Sequence, residues 1–498
     1  MKIGNREYHL FGRTVAYKWI VLSVTTIGSL MAAIDSTIVI LGLPEMMVKL
    51  HADLVEMIWV IMAYILVSTV FLLTFGRIAD MLGRVRMYNL GFVVFTIGSA
   101  LCGFSSSATS LIIARMVQGG GAAMMVVNSV ALITEAFPPN ERGKALGINA
   151  VTWSFGGVAG PILGGLILTL ADWRWIFFIN VPIGIFGAVW GYLALQELST
   201  RRKGEAFDWP GALSFSLGLT ALLIALTLGI QYNFGSPSIV ALFILFILGV
   251  AFFLWWERRA RTPVLDLTLF DDRVYNFSVL AAMLQSLALF AVNFLIIFYL
   301  QGVQGYDALK AALLLIPLPV MTSIVAPIGG NIADRVGARV PATVGLLIQG
   351  AALVWFMQLT PTSPYWQVAA GLAIMGLGGG LFYPPNTSAA MNASPRNRLG
   401  IASGTLATLR QAGMVTSFAL ALAVAASSLP RDVMMQLFVG TSVSLGSAPM
   451  RAFVTGMHSA FLVSTVLVIV AAGVSLVRGK ENRDALEHES AHHPSTAD

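Results

Sequence analysis

The chain has 498 residues, of which 57% are hydrophobic and only 11% are charged. An ordinary soluble domain has about 25% charged residues and could not bury this much apolar surface. The single cysteine, Cys102, excludes an intramolecular disulfide. Apolar stretches of about 20 residues recur along the chain, which is the length that a helix needs to cross a bilayer. The composition therefore predicts an integral membrane protein.

Fourteen segments are long and apolar enough to cross a bilayer as helices. They lie near residues 17–43, 57–76, 87–105, 109–134, 144–169, 174–195, 209–230, 238–257, 276–301, 309–332, 340–359, 365–391, 401–425 and 455–477. The first apolar run is too long for the core of a signal peptide, so we expect it to be retained as the first helix. The sequence thus predicts an all-α, polytopic membrane protein.

The positions of the basic residues test this assignment of spans. With the N-terminus in the cytoplasm, 23 of the 30 Lys and Arg residues fall on inside segments and five on outside segments. The other two, Arg115 and Arg410, fall within predicted helices. The positive-inside rule requires such a bias. We therefore expect both termini to be cytoplasmic. The net charge of +6 indicates membrane orientation rather than a nucleic-acid partner.

The sequence also contains an internal repeat. Segment 76–84 resembles segment 330–338, which begins 254 residues later, and the glycine triplet 119–121 recurs at 378–380. Nearly constant offsets indicate a duplicated six-helix unit, and two loops on the same side indicate parallel repeats. The predicted parts are an N-terminal cytoplasmic segment (1–16), a six-helix bundle (17–200), two extra transmembrane helices (201–257), a cytoplasmic linker (258–275), a second six-helix bundle (276–477) and a polar cytoplasmic tail (478–498).

Asp35 is the only acidic residue that we place deep within a predicted span. A charge at the centre of a membrane helix costs about 2.5–3.5 kcal/mol on the lower scales, so it needs a partner, water or a proton. Arg115 on the fourth helix lies at a similar predicted depth, and Gln118 follows it on the same helix face. These three residues predict a proton or cation site, and a structural ion pair is the alternative.

Other polar residues are candidates for a substrate cavity. Arg410 is expected near the midplane, where it could contact substrate or bond to backbone carbonyls of neighbouring helices. Gln411, Asn293 and Asn386 are neutral polar groups in the same half of the chain. The cavity walls are expected to be apolar and aromatic, with few polar contacts.

The loop at 76–86 is predicted to act mechanically. Its aspartate can accept hydrogen bonds from helix N-terminal amides and from arginine, which would lock two helices in one state. The residues assigned to this switch are Gly76, Asp80, Gly83, Arg84 and Arg86, together with Asp334 and Arg335 of the second copy. The alternative is that the basic residues only hold the loop inside the cell.

The fifth helix carries small residues at four-residue spacing and a proline that permits a bend. These residues are Gly156, Gly160, Pro161, Gly164 and Gly165. Ordinary helix packing is the alternative interpretation. The sequence shows no P-loop, no catalytic cluster and no metal-ligand spacing, so we expect neither an enzyme nor an ATP-driven pump.

Together these motifs resemble the major facilitator superfamily, specifically its fourteen-helix drug:proton antiporters, over residues 17–477. The loop at 76–86 is similar to the signature loop between helices 2 and 3. Segment 111–119 resembles the helix 4 motif, whose arginine is implicated in proton coupling. Segment 156–165 is similar to the helix 5 motif of exporters. Met81 and Asn331 depart from the usual loop pattern.

The resemblance implies a proton-coupled antiporter that exports amphiphilic, preferably cationic, small molecules by alternating access. The coupling ion would be a proton, with no other cofactor, and the partners would be the substrate, protons and the lipid bilayer. We expect a monomer in the cytoplasmic membrane of a bacterium or archaeon. The alternatives are an importer or symporter of a metabolite, an exporter of a lipid or siderophore, and a membrane receptor or enzyme that transports nothing.

Overall fold

The structure is a computed structural model that describes residues 7–10, 13–198, 207–232, 234–260, 263–306, 308–428 and 447–479. Most of the predicted outer loop before the last helix, and nearly all of the predicted polar tail, lie outside these ranges. Within them the chain is helical except for one short hairpin. The prediction of a helical membrane protein is therefore confirmed.

The first part of the chain forms seven helices. They are α1 (Tyr17–Lys49), α2 (Leu54–Leu82), α3 (Arg84–Gly103), α4 (Ala108–Ala136), α5 (Arg142–Leu170), α6 (Trp175–Phe178) and α7 (Asn180–Ala194). The start of α2 is fixed by a capping box, in which Asp53 accepts from the Glu56 amide and Glu56 accepts from the Asp53 amide. A short 3-10 turn, Pro139–Glu141, leads into α5.

The described residues after position 206 form nine helices. They are α8 (Trp209–Tyr232), α9 (Pro237–Glu257), α10 (Arg273–Phe298), α11 (Ala308–Leu314), α12 (Pro317–Val336), α13 (Arg339–Phe356), α14 (Tyr365–Asn392), α15 (Leu399–Ser428) and α16 (Ser447–Val477). A π-helical turn, Tyr299–Val303, follows α10, and 3-10 turns occur at Leu267–Asp271 and Arg396–Arg398.

Two predicted spans are interrupted at prolines. The span predicted at 174–195 is divided into α6 and α7, because Pro182 has no N–H to donate to the Phe178 carbonyl four residues earlier. The span predicted at 309–332 is divided into α11 and α12, with Pro317 as the first residue of α12. Periodicity and length indicated the spans but not these breaks.

Twelve segments of the described chain are long and apolar enough to cross a membrane, from Tyr17–Leu43 to Met450–Val477. The predicted set of fourteen also includes α10 and α15, which are not among these twelve. Many apolar side chains of the spans point outward, such as Ile247 and Leu248 on α9, each about three-fifths exposed. An exposed apolar surface of this extent is suited to lipid rather than to water.

The helices pack into two bundles that meet along two seams. In the first bundle α1 packs on α5, and α4 packs on α2 and α3. In the second bundle α10 packs on α15, and α14 packs on α12 and α13. The seams between the bundles are α5 with α12 and α2 with α15. Helices α8 and α9 pack mainly on each other, and α8 also contacts α2 and α15.

The hairpin precedes α1 and was not predicted. Strands β1 (Glu7–Leu10) and β2 (Arg13–Ala16) pair in antiparallel register, with Glu7 opposite Ala16 and Leu10 opposite Arg13. The sequence analysis had assigned this stretch only as a polar, basic segment. Four residues per strand, without clear alternation of polar and apolar residues, give little signal in the sequence.

Candidate functional site

A buried polar network surrounds Asp35 in the middle of α1. The side chain of Asp35 is fully buried. Its Oδ2 accepts a hydrogen bond from Arg115 Nη1 at 2.7 Å, and its Oδ1 accepts one from Gln118 Nε2 at 2.8 Å. Arg115 and Gln118 lie one turn apart on α4, so both reach α1 from the same face. The structure thus brings together the three residues that the sequence analysis grouped.

Two further residues complete this network and were missed by the sequence analysis. Asn180, at the start of α7, donates from Nδ2 to Asp35 Oδ1 at 2.9 Å and to Ser99 Oγ at 3.2 Å. Ser99 of α3 also accepts from Gln118 Nε2 at 3.1 Å and donates to the Phe177 carbonyl at 2.9 Å. The break before Pro182 places Asn180 at the first position of α7. That Asn-x-Pro pattern was the available signal in the sequence.

The guanidinium of Arg115 is held on several sides. Its Nε donates to the Val60 carbonyl of α2 at 3.1 Å, and its Nη1 also donates to Gln118 Oε1 at 2.6 Å. The ring of Tyr64 lies 4.2 Å from the guanidinium carbon, within the range of a cation–π contact. Asp35 and Arg115 therefore form a buried ion pair in which both charges are hydrogen-bonded to neighbouring helices.

The predicted switch loop forms a contact between the two bundles. Both oxygens of Asp80 accept backbone hydrogen bonds from the first turn of α15, from Gly400 N and Ile401 N, each at 2.9 Å. Arg84 donates to Asp80 Oδ1 from Nε at 3.0 Å and from Nη2 at 2.8 Å. A carboxylate at a helix N-terminus satisfies free amides and is favoured by the helix dipole. We call this contact the first latch.

The first latch needs glycine at its closest point. A side chain added at Gly76 would collide with the backbone carbonyl of Gly400 in the facing helix α15. Gly83, between α2 and α3, has a φ of 112°, which L side chains rarely adopt. Arg84 also donates to the Arg396 carbonyl at 2.8 Å and to Glu135 Oε2 at 3.2 Å. The predicted Arg86 is exposed at this end of the molecule.

A second latch repeats this arrangement in the other direction. Asp334 of α12 accepts from Gly143 N and Lys144 N at the start of α5, each at 2.9 Å. Arg142 Nη1 donates to Asn392 Oδ1 at 2.6 Å, which adds a side-chain bond across the same seam. Arg335, predicted as part of the switch, has an exposed side chain. Each bundle thus supplies a carboxylate that caps a helix of the other bundle.

The glycines of α5 set its crossing with α1. Added side chains at Gly156, Gly160 and Gly164 would meet Ala33, Thr37 and Ile38 of α1, which flank Asp35. The motif therefore brings the backbone of α5 against the segment that carries the buried carboxylate. Gly165 is partly exposed, and the side chain of Pro161 lies outside the described parts of the structure.

A second polar cluster lies in the second bundle. Gln285 of α10 is fully buried and donates from Nε2 to Tyr383 Oη at 2.8 Å and to Gln349 Oε1 at 3.4 Å. The Oε1 atom of Gln285 is buried and has no hydrogen-bond partner. Arg410 of α15 is an electrostatic neighbour of Tyr383. Within the described ranges, no salt bridge or hydrogen bond reaches its guanidinium.

The other predicted cavity residues are placed differently. Asn386 donates from Nδ2 to the Ser278 carbonyl at 3.0 Å and accepts from Arg478 Nη1 at 3.1 Å. Arg478 also donates to the Ala338 carbonyl at 3.1 Å, so this group ties α10, α13 and α14 together at the end of α16. The amide of Asn386 is therefore occupied by protein contacts, and its role in substrate binding stays a prediction.

Two cavity candidates remain to be placed. Gln411, next to Arg410 on α15, is partly buried. The side chain of Asn293 lies outside the described parts of the structure, although its backbone belongs to α10. The roles of both residues in substrate binding also stay predictions.

Spanning helices in two bundles, capped across two seams, are the architecture of a polytopic membrane transporter. The sequence pattern described as Major Facilitator Superfamily matches residues 25–418. The chain belongs to this superfamily. It is therefore a multi-pass transporter of small molecules in the cell membrane, and not an enzyme.

Individual relatives fall into more than one transport class. The chain is 33% identical over 410 residues to the riboflavin transporter RibZ of Clostridioides difficile (strain 630), covering 82% of this chain and 87% of RibZ. It is 34% identical over 411 residues to the multidrug resistance protein Stp of Mycobacterium tuberculosis (strain CDC 1551 / Oshkosh), covering 82% and 76%. The tetracenomycin C resistance and export protein of Streptomyces glaucescens is 28% identical over 501 residues, covering 94% and 92%.

Solved structures agree on the fold. The proton:xylose symporter XylE superposes with a TM-score of 0.62 at 13% sequence identity, covering 92% of this chain and 94% of XylE. At this level of identity the likeness concerns the fold alone.

Proposed function

We propose that the protein is a proton-coupled antiporter of the fourteen-helix drug:proton family, which exports amphiphilic small molecules by alternating access. The buried ion pair of Asp35 and Arg115 carries this proposal. Helices α10 and α15 would be the two further spans, and both termini would be cytoplasmic. The relative that is named a resistance and export protein supports the direction of transport, and the multidrug resistance protein Stp is consistent with it. We also propose that the monomer is the working unit.

Protonation of Asp35 would disturb the network directly. The carboxylate accepts bonds from Arg115, Gln118 and Asn180, and a proton on either oxygen would displace one of these donors. It would also leave the guanidinium of Arg115 buried without its counter-charge. Breaking a buried pair in this way is worth about 3–5 kcal/mol, which is enough to shift an equilibrium between two conformations.

A continuous path of packed helices connects this site to the second latch. Asp35 lies on α1, between the residues that contact Gly156 and Gly160 of α5. The first turn of the same helix α5 provides the two amides that Asp334 caps. A shift of α1 would therefore act on α5, whose first turn is bound to Asp334 at the seam. This is a physical connection, and its energetic coupling is part of the proposal.

The proposed transport cycle combines the buried ion pair with the two latches. Both latches are formed in this structure, at the end that the charge distribution assigns to the cytoplasm. In the proposed cycle a proton enters from outside, binds Asp35 and displaces substrate outward. The bundles then rock, and the proton leaves to the cytoplasm. One charge crossing a potential of 100 mV supplies about 2.3 kcal/mol, so one or two protons can drive accumulation.

The test begins with a susceptibility screen of an overproducing strain, which identifies a transported toxin. Its uptake into inverted vesicles is then measured with an imposed pH gradient. We expect uptake to stop when the gradient collapses and to be lost in Asp35→Asn. The control Asp172→Asn changes a partly exposed aspartate outside the network and should retain uptake. Uptake that ignores the gradient, or that persists in Asp35→Asn, would defeat the coupling proposal.

Import of a metabolite is the second candidate, because one relative is named a riboflavin transporter. The direction of net flux in vesicles of known orientation separates import from export. Export of a lipid or siderophore is a variant that the same screen would identify. The family resemblance implies a preference for cationic amphiphiles. That preference stays a prediction, and the charge of Arg410 opposes it.

A further inference from the structure

One face of α15 runs along the gap between the two bundles. Ser403, Ala407 and Arg410 are spaced by four and three residues, so they lie on one side of the helix. Ser403 Oγ donates to the Val127 carbonyl of α4 at 2.9 Å, and Ala407 packs against the cluster of Leu72, Ala123 and Val127. This face is therefore directed at the first bundle. Arg410 lies one turn further from the latch and is partly buried.

Two glycines of the first bundle have free space beside them beyond the level of the latches. Along α4, one turn beyond Ala123, a side chain added at Gly120 would meet only Val67, at 4.0 Å. On α5, a side chain added at Gly157 would meet nothing within 4 Å. Space is thus left beside these two positions of the first bundle, although α11 of the second bundle still contacts α5. Arg410 is partly buried and lies one turn beyond Ala407, on the face of α15 that is directed at the first bundle.

The wall around Arg410 offers hydrogen-bond donors without a compensating negative charge. The Tyr383 hydroxyl accepts from Gln285 Nε2, so its own proton is available to another acceptor. Helices α10, α13, α14, α15 and α16 contain no Asp or Glu. The carboxylate of Asp35 is already paired with Arg115. Arg410 therefore carries a positive charge that no carboxylate of these five helices neutralises.

We propose that Arg410 and Tyr383 form a subsite for an anionic group, such as a carboxylate or a deprotonated phenol or imide, on an otherwise apolar substrate. The guanidinium would form charge-assisted hydrogen bonds with this group, and the tyrosine would donate one more. A quaternary ammonium would be repelled by the same charge. This inference rests on the proposed export function and names the chemical class of its substrates.

The experiment uses three probes that share one aromatic ring system: 1-naphthylacetate, 1-naphthylacetamide and (1-naphthylmethyl)trimethylammonium. Equilibrium binding is measured to the full chain in lipid nanodiscs. We expect the carboxylate to bind at least 10-fold more tightly than the trimethylammonium compound. Arg410→Gln should weaken carboxylate binding by about 10-fold or more and leave the amide within about 2-fold. Arg410→Lys should retain part of the preference, and Tyr383→Phe should lose less than Arg410→Gln.

The exposed residue Arg451 supplies the matched control, since Arg451→Gln removes the same charge from a different helix, α16. Tightest binding by the trimethylammonium probe, an equal loss for all three probes in Arg410→Gln, or no carboxylate binding up to 1 mM would each overturn the proposal. Thermal unfolding of Arg410→Gln and Arg410→Lys separates misfolding from lost recognition. Proton coupling is read independently, because Asp35→Asn should abolish gradient-driven transport and leave the charge preference in binding intact.

Discussion

The polar clusters around Asp35 and around Arg410 lie in different bundles and are built in opposite ways. Around Asp35, both carboxylate oxygens and the guanidinium of Arg115 have hydrogen-bond partners. Around Arg410, the guanidinium is without a partner in the described chain, and Gln285 Oε1 is buried without one. The Asp35–Arg115 pair is suited to respond to a proton, because protonation breaks existing bonds, although Asn180 Oδ1 beside it is also buried without a partner. The unpaired guanidinium of Arg410 is suited to a ligand that supplies the missing bonds.

The largest expected effect comes from removing one charge of the buried Asp35–Arg115 pair. Arg115→Gln leaves Asp35 buried without its counter-charge, which should lower the free energy of unfolding by about 3–5 kcal/mol. The double variant Asp35→Asn/Arg115→Gln removes both charges and should regain much of this loss, but not proton-coupled transport. Denaturation in detergent and gradient-driven uptake measure the two quantities. A double variant less stable than Arg115→Gln would show that the pair does not act as a buried ion pair.

The next effect concerns the close approach of the two bundles. Gly76→Ala would place a methyl group against the Gly400 carbonyl, so the first latch could not close and transport should fall by about 10-fold or more. Gly473→Ala on α16 is the control, because a side chain there meets nothing within 4 Å. Initial rates of uptake, normalised to the amount of folded protein, give the comparison. Equal rates for the two variants would remove the steric role assigned to Gly76.

A smaller effect should distinguish the two latches from each other. Asp80 is buried where it binds two amides and Arg84, whereas Asp334 caps its two amides at a partly exposed position, where water weakens the bonds. Asp80→Asn should therefore open the seam more than Asp334→Asn, by about 3- to 10-fold in the population of the open state.

The measurement for the latches uses a membrane-impermeant maleimide on Ala407→Cys in a Cys102→Ser background. Ala407 packs at the seam between the bundles, so its labelling rate reports opening. The same cysteine with both aspartates intact is the reference. Slower labelling in Asp80→Asn than in Asp334→Asn would reverse the assignment.

The smallest effect is expected outside the membrane, at the surface group of Lys49, Glu45 and Asp172. Hydrogen bonds to Glu45 and Asp172 raise the pKa of Lys49 above its usual 10.5. Burial raises the pKa of Asp172, but hydrogen bonds from Lys49 and Arg174 outweigh this and hold it below 3.8. The contribution of Asp172 to the stability of the folded protein is thus lost only as pH falls below about 4. The contribution of Lys49 is lost only as pH rises above about 10.

Between these limits the contribution of this surface group to stability should not change with pH. Asp172→Asn should leave the Tm within about 1 °C of the parent protein from pH 5 to pH 9. A Tm difference that changes within this range would mean that another titrating group is coupled to Asp172. A pH-independent result supports the use of this variant as the control for Asp35→Asn.

The sequence indicated Arg115 of α4 as a candidate partner of Asp35 and placed Gln118 on the same helix face. Depth along a helix follows from a rise of about 1.5 Å per residue, so counting from two helix ends placed Asp35 and Arg115 at one level. Asn180 could not be found by counting, because its position depends on the helix break before Pro182 and on the rotation of α7. The polar cluster of Gln285 and Tyr383 was missed for the same reason. Packing across the bundle decides which face of each helix points inward, and the sequence alone does not give this.

The switch loop shows a second limit of sequence reasoning. The motif indicated that Asp80 would cap a helix and bind an arginine, and Arg84 is four residues away. The capped helix, however, begins at Leu399, 319 residues later in the chain. No local pattern gives that distance. The repeat did indicate that Asp334 would act in the same manner, and it caps the start of α5.

The reciprocal caps have a consequence for ion leakage. Each carboxylate belongs to one bundle and the amides that it binds belong to the other, so a rocking motion releases Asp80 and Asp334 together. Four backbone amides, those of Gly400, Ile401, Gly143 and Lys144, then lose their acceptors in one step. A partly open seam would lose these bonds without gaining the contacts of the opposite state. In the proposed cycle opening would therefore be concerted, and the membrane would be spared a half-open pathway through which protons could run down the gradient.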